Sequence, residues 1–120
     1  MEQYARTELA VRLDRVRKEW ARAAAHPDDE AIHDLRVAIR RLSQAYRVLG
    51  VQAGEDGGKA RAKLREVRQL AGEVRDCDIA LDLLQKAGLP PDNPALAKVR
   101  RKRHEASGRL ARLLSKGVPV

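Results

Sequence analysis

The fold of this chain is decided by residues 32–49, IHDLRVAIRRLSQAYRVL. Apolar side chains recur in this segment at alternating spacings of three and four, which places them along one side of a helix. Such a seam is typical of a helix packed in a bundle. We therefore predict a helix that begins near residue 29 and ends before Gly50, with a buried seam of Ile32, Leu35, Ile39, Leu42, Tyr46 and Leu49.

Three further helices are predicted, over about residues 3–25, 58–87 and 94–116, because apolar residues recur there at helical spacing. The length of the third predicts a gentle bend or a break near Gly72 or Asp76. The predicted buried residues are Leu9, Leu13, Val16 and Trp20 in the first helix, Leu64, Val67, Leu70, Ala71, Val74, Cys77, Leu81 and Leu84 in the third, and Leu96, Val99, Ala106, Leu110 and Leu113 in the fourth.

The connections between these helices have recognisable signals. Pro27 disfavours helical geometry at the residue before it, and the aspartates after it are good helix caps. The segment Gly54–Gly58 contains two acids and three glycines and predicts a flexible connection. Gly88 fits a C-terminal cap, and Asn93-Pro94 supplies a capping residue followed by a first-turn proline.

No segment shows the alternation of a β-strand, and 120 residues are enough for one core. The predicted fold class is all-α, with residues 1–120 forming a single domain, an antiparallel four-helix bundle. Cys77 is the only cysteine, so an intrachain disulfide and a cysteine-based zinc site are excluded within one chain. Cys77, Trp20 and Tyr46 lie in apolar seams and are predicted core residues without a functional role.

The charge of the chain points to an anionic partner. Lys and Arg outnumber Asp and Glu by 25 to 17, which gives a net charge of +8. Only three aromatic residues are present, Tyr4, Trp20 and Tyr46, and this counts against a protein that stacks unpaired bases. The first residues lack the apolar stretch of a signal peptide and no run is long enough for a membrane span, so we expect a cytoplasmic protein with no membrane partner.

A basic stripe runs along the second predicted helix. At 100° per residue, His33, Arg36, Arg40 and Arg47 fall within an arc of about 60°, away from the apolar seam. The stripe extends about 21 Å along the helix axis, and Arg41 flanks it. Like charges in one row repel one another, and a bound anion removes that cost. Arginine suits phosphate oxygens because its fork of donors engages two of them at once.

Further basic residues follow at helical spacing. Arg61, Arg68 and Arg75 lie at intervals of seven on the third helix. The fourth helix contains the basic run from Lys98 to His104, in which Arg100 and Arg103 are the candidate ligand residues. If these stripes converge, they form a basic groove.

Two motifs resemble those of the CHAD family, whose domains are α-helical and contain a characteristic histidine. The first is Ile32-His33-Asp34-Leu35-Arg36-Val37-Ala38-Ile39-Arg40-Arg41-Leu42, and the second is Leu70-Ala71-Gly72-Glu73-Val74-Arg75-Asp76-Cys77-Asp78. Both occur in the family's order and at about its separation. The helical pattern around them extends the resemblance over nearly the whole chain.

The resemblance implies binding of inorganic polyphosphate by basic residues that line a groove, and association with polyphosphate granules. It makes four residues the leading candidates for ligand contact: His33, Arg36, Arg40 and Arg41. Further contacts are expected from Arg47, Arg75, Arg100 and Arg103. Asp76 and Asp78 would orient neighbouring arginines. The family's usual domain resembles two four-helix halves, of which this chain supplies one. A homodimer that restores the second half is therefore expected.

The sequence gives weaker support to other functions. We expect no catalytic residue, metal site or cofactor, because no nucleophile is paired with a base and His26 and His104 have no ligand spacing. Residues 54–60 fail as a phosphate-binding P-loop, since Ala53 and Ala60 replace required residues and no strand precedes them. The alternatives left open are a nucleic-acid-binding helical domain, a metal-dependent phosphohydrolase suggested by the His33-Asp34 doublet, and a structural helical partner module.

Overall fold

The computed structural model describes residues 2–49 and 55–119 of the chain, and these form four α-helices. Helix α1 spans Glu2–Ala25, α2 spans Asp29–Leu49, α3 spans Glu55–Lys86 and α4 spans Pro94–Ser115. The described residues contain no strand. The all-α prediction is thus confirmed. The predicted end of the second helix at Gly50, the burial of Leu49 and the position of Gly54 lie outside what the structure describes.

The turn between α1 and α2 follows the predicted capping chemistry. The backbone N–H of Ala31 donates to Oδ1 of Asp28 at 2.8 Å, which satisfies one of the free amides of the first turn of α2. Asp29 and Glu30 lie in that first turn, where negative charge is favourable. The sharp turn brings α2 back against α1.

Helix α3 differs from the prediction at two places. Residues 55–58 are helical, so most of the predicted flexible connection belongs to the first turn of α3. The helix starts on two acidic residues, a composition that favours helix N-termini and offsets the low propensity of the glycines. The helix is also continuous through Gly72 and Asp76, and the break predicted near these residues is absent.

The connection from α3 to α4 was predicted correctly. Gly88 has φ +88°, the left-handed conformation that glycine adopts without steric cost. The next amide, of Leu89, donates to the carbonyl of Leu84 at 3.3 Å and closes the end of α3. Asn93 caps α4, because its side chain accepts a hydrogen bond from the amide of Ala95 at 2.8 Å.

The four helices enclose one core. Helix α1 packs against α2, α2 against α3, α3 against α4 and α4 against α1, whereas α2 and α4 do not touch in the described part of the chain. The extents are 57 × 25 × 22 Å. The predicted seams supply most of the core, and the largest fully buried side chains are Leu35, Ile39, Leu42, Leu64, Leu96, Leu110, Val16, Val67 and Val74.

The C-terminal end of α4 is rotated relative to the prediction. Leu114 is buried, whereas Leu113 is only partly buried at the edge of the core. The buried indole of Trp20 donates from Nε1 to the carbonyl oxygen of Leu114 at 3.0 Å. This bond joins α1 to the end of α4. Tyr46 is partly buried rather than central, and Cys77 is buried and free, as predicted.

Candidate polyanion-binding site

The exposed side of α2 borders a cavity with a volume of about 720 Å³. Residues of α1, α2 and α3 line it together, and six of them are Arg or His. The lining residues are Arg15, Glu19, His33, Asp34, Arg36, Val37, Ala38, Arg40, Arg41 and Arg68. We call this the central cavity. It unites the four residues predicted as the first ligand contacts, His33, Arg36, Arg40 and Arg41.

Arg36 crosses from α2 onto α3. Its guanidinium lies against Gly72, where an added Cβ would be 3.7 Å from both Nε and Nη2. Because Gly72 has no side chain, the flat guanidinium packs against its backbone. A residue of the second motif thus contacts a candidate ligand residue of the first.

The α1 wall of the central cavity contains a network of paired charges. Glu19 is 5% exposed, and its carboxylate lies 3.6 Å from Nε of Arg15 and 3.2 Å from Nη1 of Arg22. Arg22 also donates to Asp34 of α2 at 2.7 Å. That hydrogen bond raises the pKa of the Arg22 guanidinium above its ordinary value. This wall is therefore nearly neutral, and the free cations lie on the α2 side.

A second cleft of about 270 Å³ adjoins the central cavity and shares His33 and Arg36 with it. Arg75 and Asp78 of α3 line this cleft, which is the more apolar of the two because Ile32, Val74, Ile79 and Leu83 contribute to it. We call it the α3 cleft. Residues of the second motif therefore lie beside residues of the first in the folded chain.

Asp78 of α3 pairs with an arginine of α4. Its carboxylate accepts hydrogen bonds from Nε of Arg103 and, at 3.4 Å, from Nη2 of the same residue. The hydrogen bond to Asp78 raises the pKa of the Arg103 guanidinium. Asp76 is exposed and has no hydrogen bond or ion pair with the described residues. Its predicted orienting role therefore has no contact to support it.

A third cavity of about 270 Å³ lies at the other end of α2 and contains Arg47. Four arginines line it, and its lining has no carboxylate: Ser43, Tyr46, Arg47, Arg61, Arg65 and Arg68. The Arg61 guanidinium lies 4.5 Å from the centroid of the Tyr46 ring, a cation–π contact. Because Arg68 also lines the central cavity, the two cavities adjoin. The arginine-lined third cavity is called the Arg47 cavity below.

The two candidate residues of α4 do not line any of these three cavities. Arg100 donates from Nη1 to the carbonyl oxygen of Pro91 at 3.0 Å, and Arg103 is held by Asp78. Conversely, the cavities include charged residues that are not among the predicted ligand contacts, such as Arg15, Glu19, Arg61, Arg65 and Arg68. The spacing of Arg61, Arg68 and Arg75 had indicated Arg68, but no sequence signal distinguished Arg15 from its paired neighbours on α1.

The central cavity and the Arg47 cavity form a basic track along α2 and α3. The α3 cleft extends this track with Arg75, but its lining also contains Asp29, Asp78 and Asp82. Arginine side chains on this track supply donors for phosphate oxygens, and exposed His33 adds a donor at the junction of two cavities. In the described part of the chain, no three His, Cys, Asp or Glu residues are grouped to hold a metal ion. No described helix is long and apolar enough to cross a membrane.

Comparison with known proteins agrees with the two motifs. The sequence profile of the CHAD domain matches residues 7–117. No curated protein and no solved structure matches the chain. The match covers nearly all of the chain and includes both motifs and the residues that line the central cavity. The chain therefore belongs to the CHAD domain family.

Proposed function

We propose that this protein binds inorganic polyphosphate without chemically changing it, and that the polymer lies along the basic track of α2 and α3. The observation that carries the proposal is the central cavity, in which cationic side chains from three helices meet. Membership of a family associated with polyphosphate supports it. The arginine forks supply charge-assisted hydrogen bonds to successive phosphates.

The proposed contacts centre on His33, Arg36, Arg40 and Arg41. Arg75 in the α3 cleft and Arg47 in the Arg47 cavity would extend the contact at either end. The length of the stripe, about 21 Å, suits an extended polymer rather than a single phosphate. Arg103 and Arg100 are engaged by Asp78 and Pro91, so their proposed contribution is secondary to that of the α2 residues.

The proposed architecture is an antiparallel four-helix bundle. The short connections and the ring of packed helix neighbours support it. We also propose that two chains pair about a twofold axis, because the chain resembles one half of a two-bundle domain. Light scattering coupled to size-exclusion chromatography tests this proposal, and a monomer at micromolar concentration would contradict it. In the cell, we expect cytoplasmic protein associated with polyphosphate granules.

The binding proposal is tested by calorimetric titration with long-chain polyphosphate and with duplex DNA at equal phosphate concentration, at two salt concentrations. Non-specific polyanion binding weakens steeply with salt, so the higher salt separates the two ligands. We expect polyphosphate to bind more tightly than DNA, and the Arg36→Gln/Arg40→Gln variant to lose that preference.

A matched control removes the same charge outside the basic track. Arg12 and Arg17 of α1 are paired with Glu8 and Asp14 and do not line the three cavities. The Arg12→Gln/Arg17→Gln variant should keep the polyphosphate preference. Equal or tighter binding of DNA by the wild type would favour the nucleic-acid alternative. Release of phosphate with a bound divalent metal would favour the phosphohydrolase alternative.

A further inference from the structure

The outer face of α4 is the most strongly charged surface that the proposed site does not use. Helix α4 contains seven Lys or Arg residues and one carboxylate, Glu105, so it carries six of the chain's eight net positive charges. Arg100 and Arg103 are engaged with Pro91 and Asp78. The remaining basic residues are exposed, and with Lys116 at the end of the helix they form the α4 face: Lys98, Arg101, Lys102, Arg109, Arg112 and Lys116.

The α4 face is a continuous surface. At 100° per residue its six cations fall within an arc of about 100°, centred about 140° from the buried residues of α4. From Lys98 to Lys116 the face extends about 27 Å along the helix axis. It is therefore as long as the stripe on α2, and like that stripe it presents a row of positive charges.

The cations of the α4 face have no carboxylate partners, unlike four of the arginines on α1. On α1, Arg12, Arg15, Arg17 and Arg22 each lie within 4 Å of a carboxylate. In the described part of the chain, none of the six cations of the α4 face has such a pair. Rows of unpaired like charge on a helix are unfavourable, and an anionic partner relieves the repulsion.

The composition of the α4 face also limits the kind of partner. The large apolar side chains that are exposed in the described residues lie on α1, α2 and α3, and none is on α4. The face thus offers no apolar side chain for a lipid layer and no aromatic ring on which a base would stack. Contacts with charged oxygens remain, and the length of the face suits a linear row of phosphates.

The position of α4 in the bundle separates the α4 face from the proposed site. Helices α2 and α4 both contact α1 and α3 but do not touch each other in the described part of the chain. They are therefore diagonal neighbours, and their exposed sides face away from each other across a bundle 22–25 Å thick. A short polyphosphate on one face cannot reach the other.

We infer that the α4 face is a second polyphosphate-binding surface, and that one chain of this protein bridges two polyphosphate strands. The inference rests on the proposed function for the choice of polymer. Bridging gives each protein molecule two points of attachment and links separate polymers into a network. A single chain with the basic track alone would coat a polymer without linking it to another.

The test uses polyphosphate of two defined lengths. A short chain that covers one helix face reports stoichiometry by calorimetry, and a long chain reports cross-linking by light scattering. The variants are Lys98→Gln/Lys102→Gln/Arg109→Gln on the α4 face and Arg36→Gln/Arg40→Gln in the central cavity. The control Arg12→Gln/Arg17→Gln/Lys86→Gln removes the same charge as the α4 variant from residues already paired with carboxylates.

We expect two short chains per protein chain for the wild type and the control, and one for either site variant. With long polymer, scattering should rise and then fall as the polymer is increased, because excess polymer separates the proteins again. The α4 variant should scatter less than the control, because only the proposed dimer is then left to link two polymers. Circular dichroism and thermal unfolding establish that each variant retains the helical fold.

The outcomes separate the inference from the proposed function. One short chain per protein, lost only in the Arg36/Arg40 variant, overturns the inference and leaves the proposed function standing. One short chain lost only in the α4 variant overturns bridging and the proposed site together. Cross-linking by the α4 variant that equals that of the wild type would come from the proposed dimer, and it overturns bridging by the α4 face. If the α4 variant loses duplex DNA binding but binds as many short polyphosphate chains as the wild type, the α4 face binds nucleic acid instead, and the inference is overturned.

Discussion

The guanidinium of Arg36 on α2 lies against Gly72 on α3, where a Cβ on residue 72 would be 3.7 Å from Nε and Nη2. The two residues come from separate motifs, 36 positions apart in the chain. Their contact places a long and flexible side chain at the junction of the central cavity and the α3 cleft. A side chain larger than alanine at residue 72 would therefore compete with the guanidinium for this space.

Alanine should be tolerated at this position. The distance of 3.7 Å is an ordinary van der Waals contact, and alanine has a higher helix propensity than glycine by about 1 kcal/mol. We expect Gly72→Ala to raise the free energy of unfolding by about 0.5–1 kcal/mol. Polyphosphate affinity should be unchanged. Urea denaturation and calorimetry measure the two effects.

A larger side chain should displace Arg36. We expect Gly72→Leu to lower polyphosphate affinity about as much as Arg36→Gln does, while the helical content stays that of the wild type. The alanine variant is its matched control. Wild-type affinity in the leucine variant would show that the contact between Arg36 and Gly72 is not needed for binding.

The surface of α2 could be predicted from sequence because one helix contains both patterns. The three-and-four spacing that buries Ile39 also turns Arg36 and Arg40 outward, and no knowledge of the neighbouring helices is required. The caps at Asn93 and Gly88 are equally local, since each depends on the chemistry of a few adjacent residues.

The α1 wall could not be predicted in this way. Glu19 is buried beside two arginines because of the rotation of α1 against α2, which is a property of packing rather than of α1 alone. The same holds at the end of α4. Leu113 and Leu114 are adjacent apolar residues, and which of them is buried depends on how α4 meets the core beside Trp20.

Glu19 limits the positive charge of the central cavity. Replacement by glutamine keeps the shape of the side chain but removes the negative charge that neutralises Arg15 and Arg22. We expect Glu19→Gln to strengthen polyphosphate binding by about 0.5–1 kcal/mol, because solvent in the cavity screens the repulsion between this carboxylate and the polyanion. Calorimetry at low salt measures the change.

The control for this prediction is Glu8→Gln. Glu8 also pairs with an arginine four residues away, but it lies outside the central cavity. Its replacement changes the net charge equally and should affect binding less. Weaker binding in the Glu19 variant would instead mean that the carboxylate holds Arg15 or Arg22 in a conformation that the ligand needs.

The salt dependence of binding should distinguish the arginines. Each phosphate contact that is lost lowers the slope of log affinity against log salt by about 1. We expect that decrease for Arg40→Gln, which removes a side chain of the central cavity. Arg100→Gln should leave the slope unchanged, because its guanidinium donates to the carbonyl of Pro91. A lower slope for Arg100→Gln would mean that Arg100 also contacts the ligand.

The bond from Trp20 to Leu114 should contribute to the stability of the bundle. Phenylalanine fills part of the same space but cannot donate to the Leu114 carbonyl. That oxygen still accepts from the amide of Gly117 at 3.2 Å, so it is not left without a partner. We expect Trp20→Phe to lower the free energy of unfolding by about 1–2 kcal/mol, from the lost bond and the smaller ring. Circular dichroism during urea denaturation measures it, and no loss would mean that water replaces the indole.

The pair of Arg103 and Asp78 joins α3 to α4 at a partly exposed position, with side chains 36% and 30% exposed. Solvent screening at such a site limits the coupling to about 0.5–1 kcal/mol. A double-mutant cycle with Asp78→Asn and Arg103→Gln measures this coupling from four unfolding curves.

The coupling between Arg103 and Asp78 should not depend on pH near neutrality. Because the folded pKa of Arg103 is raised, its contribution to stability is complete below the unfolded pKa and is lost only as the pH rises through the folded pKa. The arginine therefore introduces no pH dependence between about pH 6 and pH 9. A coupling energy that changes across that range would mean that another group titrates beside the pair.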